Sequence, residues 1–284
     1  MRNKKIPCFV LIYSESNLIK NALNNLVQNK DLDIYVIENK SLQSSENQLF
    51  CLDLLHRQLI TNYILFDENI SNNAFEVMIK RYKERIKVAE YVLVTDGDLT
   101  VQDANWLSEE VEILNKHPEV FVCGVKLSLQ NLPLKAFPES KSWVPEPTNT
   151  HEAYTEQLSG IHLTLWRSKE FIALFEWMQS HGKPFLDGVI HQYCAERGMK
   201  WAVTRQAEAV HLTWDIYADL EHPYVKAKLS KPLHKVFNHN NYCAYTVYRV
   251  ENGKMESSRH GTLSIFNSIK RFVCALRGRL QAAK

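Results

Sequence analysis

Short apolar runs alternate with helical patterns over the first 127 residues, and this alternation narrows the fold more than any other feature. Residues 7–13 (PCFVLIY) are apolar almost throughout, as expected of a strand buried on both faces. Ser14, Glu15 and Ser16 end the run. A helical pattern follows, with Leu18, Ala22, Leu23, Leu26 and Val27 on one face and Ser16 or Asn17 expected as N-cap. Strands are expected again over 34–37 (IYVI), 63–66 (YILF), 91–95 (YVLVT) and 120–127. Between them lie a weak helical pattern over 49–57, a stronger one from Asn73 through Ile86, and a third over 103–116. Such a series predicts βαβ units, that is, an α/β fold whose mostly parallel sheet is flanked by helices in the Rossmann manner.

The pattern then changes. Residues 128–157 hold Pro133, Pro138, Pro145 and Pro147 with little periodicity, and a loop of that length inside a compact domain is usually functional. A strand is expected over 161–166, helices over 169–179 and 187–197, and short strands over 201–204 and 209–212. Gly198 is expected to close the second helix as its C-cap. Beyond His222 the chain is less regular and basic: residues 222–284 carry twelve Lys or Arg against two acids, net +10, whereas the whole chain is only +2. An amphipathic helix over 265–280 would place Ile265, Phe266, Ile269, Phe272, Val273 and Leu276 against Lys270, Arg271, Arg277 and Arg279. Such a helix suits an anionic membrane surface, or packing of its apolar face on the domain.

Composition excludes several classes. With 45% hydrophobic and 23% charged residues, the 284-residue chain reads as globular rather than disordered. Its longest apolar run, residues 8–13, falls far short of the roughly 18 residues of a membrane span and lacks the cleavage site of a leader. The six cysteines are never closer than 31 residues apart, so no CxxC metal or redox motif is present. Reduced thiols and a cytoplasmic location, peripheral to the membrane's inner face if the tail binds it, are the expectation. Nucleic acid is not an expected partner, because the basic residues do not form a recognition motif.

In open parallel sheets, ligands bind beyond the carboxyl ends of the strands. Here those ends read Ser14 and Glu15, Glu38 and Asn39, Asp67 and Glu68, and Asp96 and Asp98. Asp96-Gly97-Asp98 sets two carboxylates two residues apart just after a buried strand. A surface turn can have this sequence. At a rim of acidic strand ends, a hard cation shared with substrate phosphates accounts for it better. Gly97 would let the backbone turn sharply and approach a ligand.

With ENKS at 38–41 and DGD at 96–98, each following a strand, the chain resembles the GT-A-fold glycosyltransferases, most closely those of the family 2 type, over about residues 6–215. The resemblance implies a nucleotide-sugar donor, UDP-linked by preference, with Mn2+ or Mg2+ bridging its diphosphate. It implies that Ser14, Glu15, Glu38, Asn39 and the segment 67–73, from Asp67 to Asn73, border the nucleotide. Asp96 would face ribose or metal, Gly97 would border the nucleotide-sugar, and Asp98 would bind the metal. Residues 185–200 resemble the family segment that carries the general base, which falls on Asp187, although Leu186 stands where the family has Glu. His211 matches a histidine that completes the metal site in several such enzymes. Trp143, His151, His162, Trp166 and Trp214 are the expected acceptor contacts, with Glu146, Glu152 and Tyr154 in the same loop.

The implied activity is a metal-dependent, inverting transfer to a hydroxyl of a glycan or lipid-linked acceptor. It is non-processive, because no Gln-x-x-Arg-Trp follows Asp187, and it fits bacterial surface polysaccharide or lipopolysaccharide synthesis. On this reading residues 1–221 form the catalytic domain, with a nucleotide half of about 1–127 and an acceptor half of about 128–221, and 222–284 form the extension. Three other readings stay open: a retaining enzyme on the same fold, a nucleotidyltransferase (disfavoured because residues 14–21 hold no glycine), and an inactive membrane-surface module that binds nucleotide.

Overall fold

The computed structural model of the chain describes residues 5–229 and 244–260. The expected membrane-surface helix over 265–280 lies outside them, as do Cys243 and Cys274. The alternation resolves into β1 (Ile6–Ile12), α1 (Ser16–Leu26), β2 (Leu32–Glu38), α2 (Ser44–His56), β3 (Asn62–Phe66), α3 (Asn73–Arg81), α4 (Lys83–Lys87), β4 (Tyr91–Asp96), β5 (Leu99–Val101), α5 (Trp106–Lys116) and β6 (Val120–Leu127). There follow β7 (Asn149–Thr150), β8 (Thr155–Glu156), β9 (Thr164–Arg167), α6 (Ser168–Ser180), α7 (Asp187–Glu196), β10 (Lys200–His211), α8 (Thr213–Tyr217), α9 (Pro223–Leu229), β11 (Tyr245–Glu251) and β12 (Lys254–His260).

All the described strands join one sheet, ordered β12-β11-β3-β2-β1-β4-β9-β6-β10-β8-β7, with β5 paired to β10 off that path. The run β3-β2-β1-β4 is parallel, as is the β6–β10 pair. The other pairings are antiparallel, so the α/β class is as expected, while the sheet is mixed rather than mostly parallel. Period-2 alternation sends Cys8, Val10 and Ile12 of β1 into one core and Phe9 and Leu11 into the other. The first core lies under α1, α2 and α5, the second under α3, α6 and α7. Burial on both faces is why β1 reads as a continuous apolar run.

Several local expectations are corrected. The N-cap of α1 is Glu15 in the left-handed region, without a side-chain cap; Ser16 already lies in the helix, and its N–H donates to Gln43 Oε1 at 2.6 Å. The helical pattern from Asn73 is broken at Tyr82, whose non-helical backbone lets its ring pack on Tyr35 at 4.6 Å and on Phe9 at 5.9 Å. Residues 161–163 are not strand: Leu163 has φ 48°, and the strand starts at Thr164. The two short strands expected between 201 and 212 are one, β10, carried across an irregularity between Val203 and Glu208.

That irregularity is held by a carboxylate. Glu109 of α5 accepts the backbone N–H groups of Arg205 (2.8 Å), Gln206 (3.0 Å) and Ala207 (2.9 Å), while Thr204 Oγ1 donates to the Ala207 carbonyl at 2.8 Å. Successive N–H groups make an anion-binding concavity, here filled by the protein's own side chain. Residues 245–260, part of the expected extension, form the β11–β12 hairpin, which adds to the edge of β3 through Tyr245↔Phe66 to Tyr248↔Tyr63. Its turn is Asn252-Gly253, with φ 51° and 74°, a two-residue hairpin signal present in the sequence. Gly198 has φ 62°, as expected of a C-cap. The four described cysteines are free and buried. Among the described residues no helix is long and apolar enough to cross a membrane.

Hydrogen bonds to an ionised acceptor contribute about 1.5–3 kcal/mol when buried and less at a wet edge. Glu109→Ala is therefore expected to cost about 1–3 kcal/mol. Urea denaturation checks it, as a lower midpoint with an unchanged m-value.

Candidate functional site

The Asp96-Gly97-Asp98 turn crosses the end of β1. Gly97 N–H donates to the Leu11 carbonyl at 2.8 Å, and a Cβ on Gly97 would lie 2.3 Å from Ile12 Cγ2 and 3.0 Å from Leu11 O. Close approach to β1 is thus what requires glycine here. The chain then forms β5, which pairs antiparallel with the end of β10: Val101↔Ala209, Thr100↔Val210, Leu99↔His211. This register brings His211 beside Asp98, although they are 113 residues apart. Leu212 N–H donates to the Asp98 carbonyl at 2.8 Å and completes the junction.

Asp98 Oδ2 lies 3.4 Å from His211 Nδ1 and accepts a hydrogen bond from the Thr213 hydroxyl. Asp98 Oδ1 is buried and has no hydrogen-bond partner. The His211 ring lies parallel to that of Trp214, centroids 5.0 Å apart and 2° between planes, and its carbonyl accepts Asn131 Nδ2 at 2.9 Å. His162 stands edge-on to His211 at 5.2 Å. Burial, then the neighbouring His211, push the His162 imidazole down to about 3, with Asp98 pulling the other way.

Asp187, the first residue of α7, is joined to this group through Ile161. Its carboxylate accepts the Ile161 N–H, while the Ile161 carbonyl accepts the Asp96 N–H at 3.2 Å. Residues 161–163 leave the strand to make these contacts. Loss of hydration pushes the Asp187 carboxyl up to about 6, and the Ile161 and Asp187 backbone donors pull it partly back. Trp143 of the proline-containing segment joins from the other side, packing on Trp214 (6.4 Å) and Tyr217 (5.3 Å).

The ends of β1, β2 and β3 continue the same rim. Ser14 and Glu15 both have positive φ, 59° and 39°, an uncommon strain for consecutive non-glycine residues. Glu15 Oε2 lies 3.9 Å from His222 Nε2. Glu38 is fully buried: Asn47 Nδ2 donates to it at 3.2 Å and the Tyr63 hydroxyl donates to its other oxygen, while desolvation raises its pKa. Asn39 clamps the 67–73 segment, donating to the Ser71 carbonyl and accepting the Ile70 N–H, both at 3.1 Å. Asp67 pairs with Arg259 of β12, and Asn73 opens α3.

Two expected acceptor contacts lie elsewhere. Trp166 is wholly buried in the second core against Phe121, Phe171 and Trp201, so its place is packing rather than contact with an acceptor. His151 lies on the hairpin between β7 and β8, which pairs with β10 at Ala202 and Val203, far from His211 at the opposite end of that strand. There it stacks on Tyr154 at 4.4 Å and meets Glu156 at 2.6 Å. Thr213, Asn131 and Glu109 carried no signal in the sequence, because hydroxyls, amides and surface carboxylates gain meaning only from what they meet.

Acidic residues thus follow β1, end β2 and end β4, and Asp98 faces a histidine from β10. The fold is α/β: one mixed sheet with helices packed on both faces. No family model matches the chain. Three uncharacterised proteins of Acanthamoeba polyphaga mimivirus are similar to it. One is 40% identical over 231 residues, covering 79% of this chain and 31% of that protein. A second is 36% identical over 274 residues, covering 94% and 31%. The third is 39% identical over 232 residues, covering 79% and 47%. The chain therefore spans about a third to a half of the length of the curated relatives it matches, none of which is bacterial. Similar solved structures include the mannosyltransferase PcManGT from Pyrobaculum calidifontis in complex with GDP-Man and Mn2+, at TM-score 0.48 and 16% identity over 74% of this chain and 57% of that one. GalNAc-T7 with UDP, GalNAc and Mn2+ has TM-score 0.49 and 10% identity over 74% and 44%.

Among the described residues no three His, Cys, Asp or Glu side chains are placed to hold a metal together. Asp98 and His211 offer a carboxylate and an imidazole, with one buried carboxylate oxygen lacking a donor. Two protein ligands fit an ion that takes its remaining oxygens from a diphosphate and water. Gly97→Ala would force Ile12 and the β1 backbone apart. We expect a loss of about 1–3 kcal/mol in stability, read as a lowered urea midpoint, because overpacking against backbone relaxes poorly.

Proposed function

We propose that this chain is a metal-dependent glycosyltransferase that moves a sugar from a nucleotide-sugar donor, UDP-linked by preference, to a hydroxyl of a glycan or lipid-linked acceptor. Transfer is inverting and adds one sugar per encounter. The observation that carries this reading is the meeting of Asp98, His211 and Asp187 on one rim, the last linked to the Asp-Gly-Asp turn through the backbone of Ile161.

Each residue has a part. Asp98 and His211 would hold Mn2+ or Mg2+, and the bound ion supplies positive charge against the diphosphate as it leaves. Imidazole in the ligand pair favours Mn2+. Asp187, half-buried, accepts the proton of the attacking hydroxyl, which is too weak a nucleophile without a base. Its raised pKa makes it a better base than an exposed aspartate while leaving it ionised near neutral pH. The backbone around Ser14, Glu15 and Asn39 and the 67–73 segment border the nucleotide. Glu38, sealed under Asn47 and Tyr63, braces that wall. Trp143, Trp214 and His162 line the side from which the sugar and acceptor approach.

A thermal-shift panel of UDP, GDP, CMP and TDP, each with and without Mn2+, tests the donor site. One nucleotide is expected to raise the melting temperature only with the metal, by the equivalent of about 2.7 kcal/mol at one hundred times its dissociation constant. Asp98→Ala should abolish that shift. No shift with any of the four would overturn the reading.

The base is tested by pH. Because the folded carboxyl of Asp187 titrates near 6 and must be ionised to act, kcat/KM for the matching nucleotide-sugar should rise with pH and level off above about 6. Asp187→Asn should lower kcat by about 10²–10⁴ and remove that acid limb. Anomeric NMR of the product distinguishes inversion from retention, and a product that keeps the donor's anomeric configuration would take the base role from Asp187.

A further inference from the structure

Two residues that follow His211 touch both members of the metal pair. Thr213 and Trp214 open α8 and are 4% and 5% exposed. The Thr213 hydroxyl donates to Asp98 Oδ2, the same oxygen that faces His211 Nδ1. With that oxygen engaged, the buried and unpartnered Oδ1 is the one left to offer. Trp214 lies flat on the His211 ring and is backed in turn by Trp143. A carboxylate without such a donor turns freely about its last torsion, and an unbacked imidazole tilts. Either motion must be arrested when an ion binds, at an entropic cost.

We propose that Thr213 and Trp214 are positioning residues that set the metal site before the ion arrives. Thr213 occupies one oxygen of Asp98, so that the carboxylate binds through Oδ1 alone, and Trp214 fixes the plane of His211. This inference rests on the metal-binding role proposed for Asp98 and His211. It goes beyond that role in assigning the ligation mode and its determinants to α8. A buried carboxylate oxygen without a donor is costly in the metal-free chain, and an ion relieves that cost.

The test titrates the full chain with Mn2+ alone and reads free Mn2+ by EPR. Removing an outer partner of a metal ligand typically weakens binding 10- to 100-fold. Thr213→Val and Thr213→Ala are each expected to weaken Mn2+ binding by about tenfold, whereas Thr213→Ser, which keeps the hydroxyl, binds as the parent does. Trp214→Leu is expected to weaken binding similarly and to alter the imidazole nitrogen coupling in the Mn2+ spin-echo spectrum, which Thr213→Val leaves in place. Far-UV circular dichroism confirms that each variant is folded; should the valine variant not fold, the alanine and serine pair decides. Parent affinity in Thr213→Val and Thr213→Ala, with binding still abolished by Asp98→Ala, would overturn the positioning role and leave the proposed function standing. Mn2+ binding by the parent no tighter than by Asp98→Ala would overturn both.

Discussion

The antiparallel register of β5 on β10 is the constraint on which the site depends. It is only three residues long, yet it sets Leu99 opposite His211 and so places an imidazole beside Asp98. A one-residue slip would turn every side chain of β5 to the opposite face. Two features hold the register. Gly97 presses the turn onto β1, where no Cβ fits, and Glu109 gathers three N–H groups of the irregular stretch of β10. Both lie outside the reacting centre, and both act on it through backbone geometry.

A second feature follows from the first. The parallel strands β3, β2, β1 and β4 end along one rim, and β9 runs antiparallel between β4 and β6. The segment before β9 therefore arrives at that rim from outside the sheet. Its irregular residues 161–163 spend their backbone groups on Asp96, Asp187 and Thr95 rather than on a ladder: the Leu163 N–H donates to Thr95 Oγ1 at 3.1 Å. The expected strand over 161–166 starts late because the first three residues bind the site. The same economy appears at Ser14 and Glu15, where positive φ values bend the chain sharply from β1 into α1.

The acidic residues legible in the sequence divide by environment. Asp98 keeps one oxygen free of hydrogen bonds, whereas Glu38 has both oxygens engaged by Asn47 and Tyr63, and Asp67 is neutralised by Arg259 from the hairpin. All three look alike as acids at strand ends. The difference is tertiary, because Asn47, Tyr63 and Arg259 come from other elements. Trp166 and Trp214 divide in the same way: one is sealed between aromatic rings in the core, the other lies against a histidine at the rim.

Local chemistry alone determined a good part of this protein. Continuous apolar runs specified β1, β2, β3, β4 and β6, helical spacing specified most of α1, α3, α5, α6 and α7, and Asp96-Gly97-Asp98 and Asp187 stood out as carboxylates at the ends of buried elements. These features depend on neighbours within a few residues, so they are written in order along the chain. The partnership of Asp98 with His211 and Thr213, the link from Asp187 through Ile161, the burial of Glu38 and the docking of the β11–β12 hairpin on β3 were decided only in the tertiary structure. They join residues from nine to nearly two hundred positions apart and on different elements, and no local pattern encodes which group of another element will arrive to accept or donate a hydrogen bond.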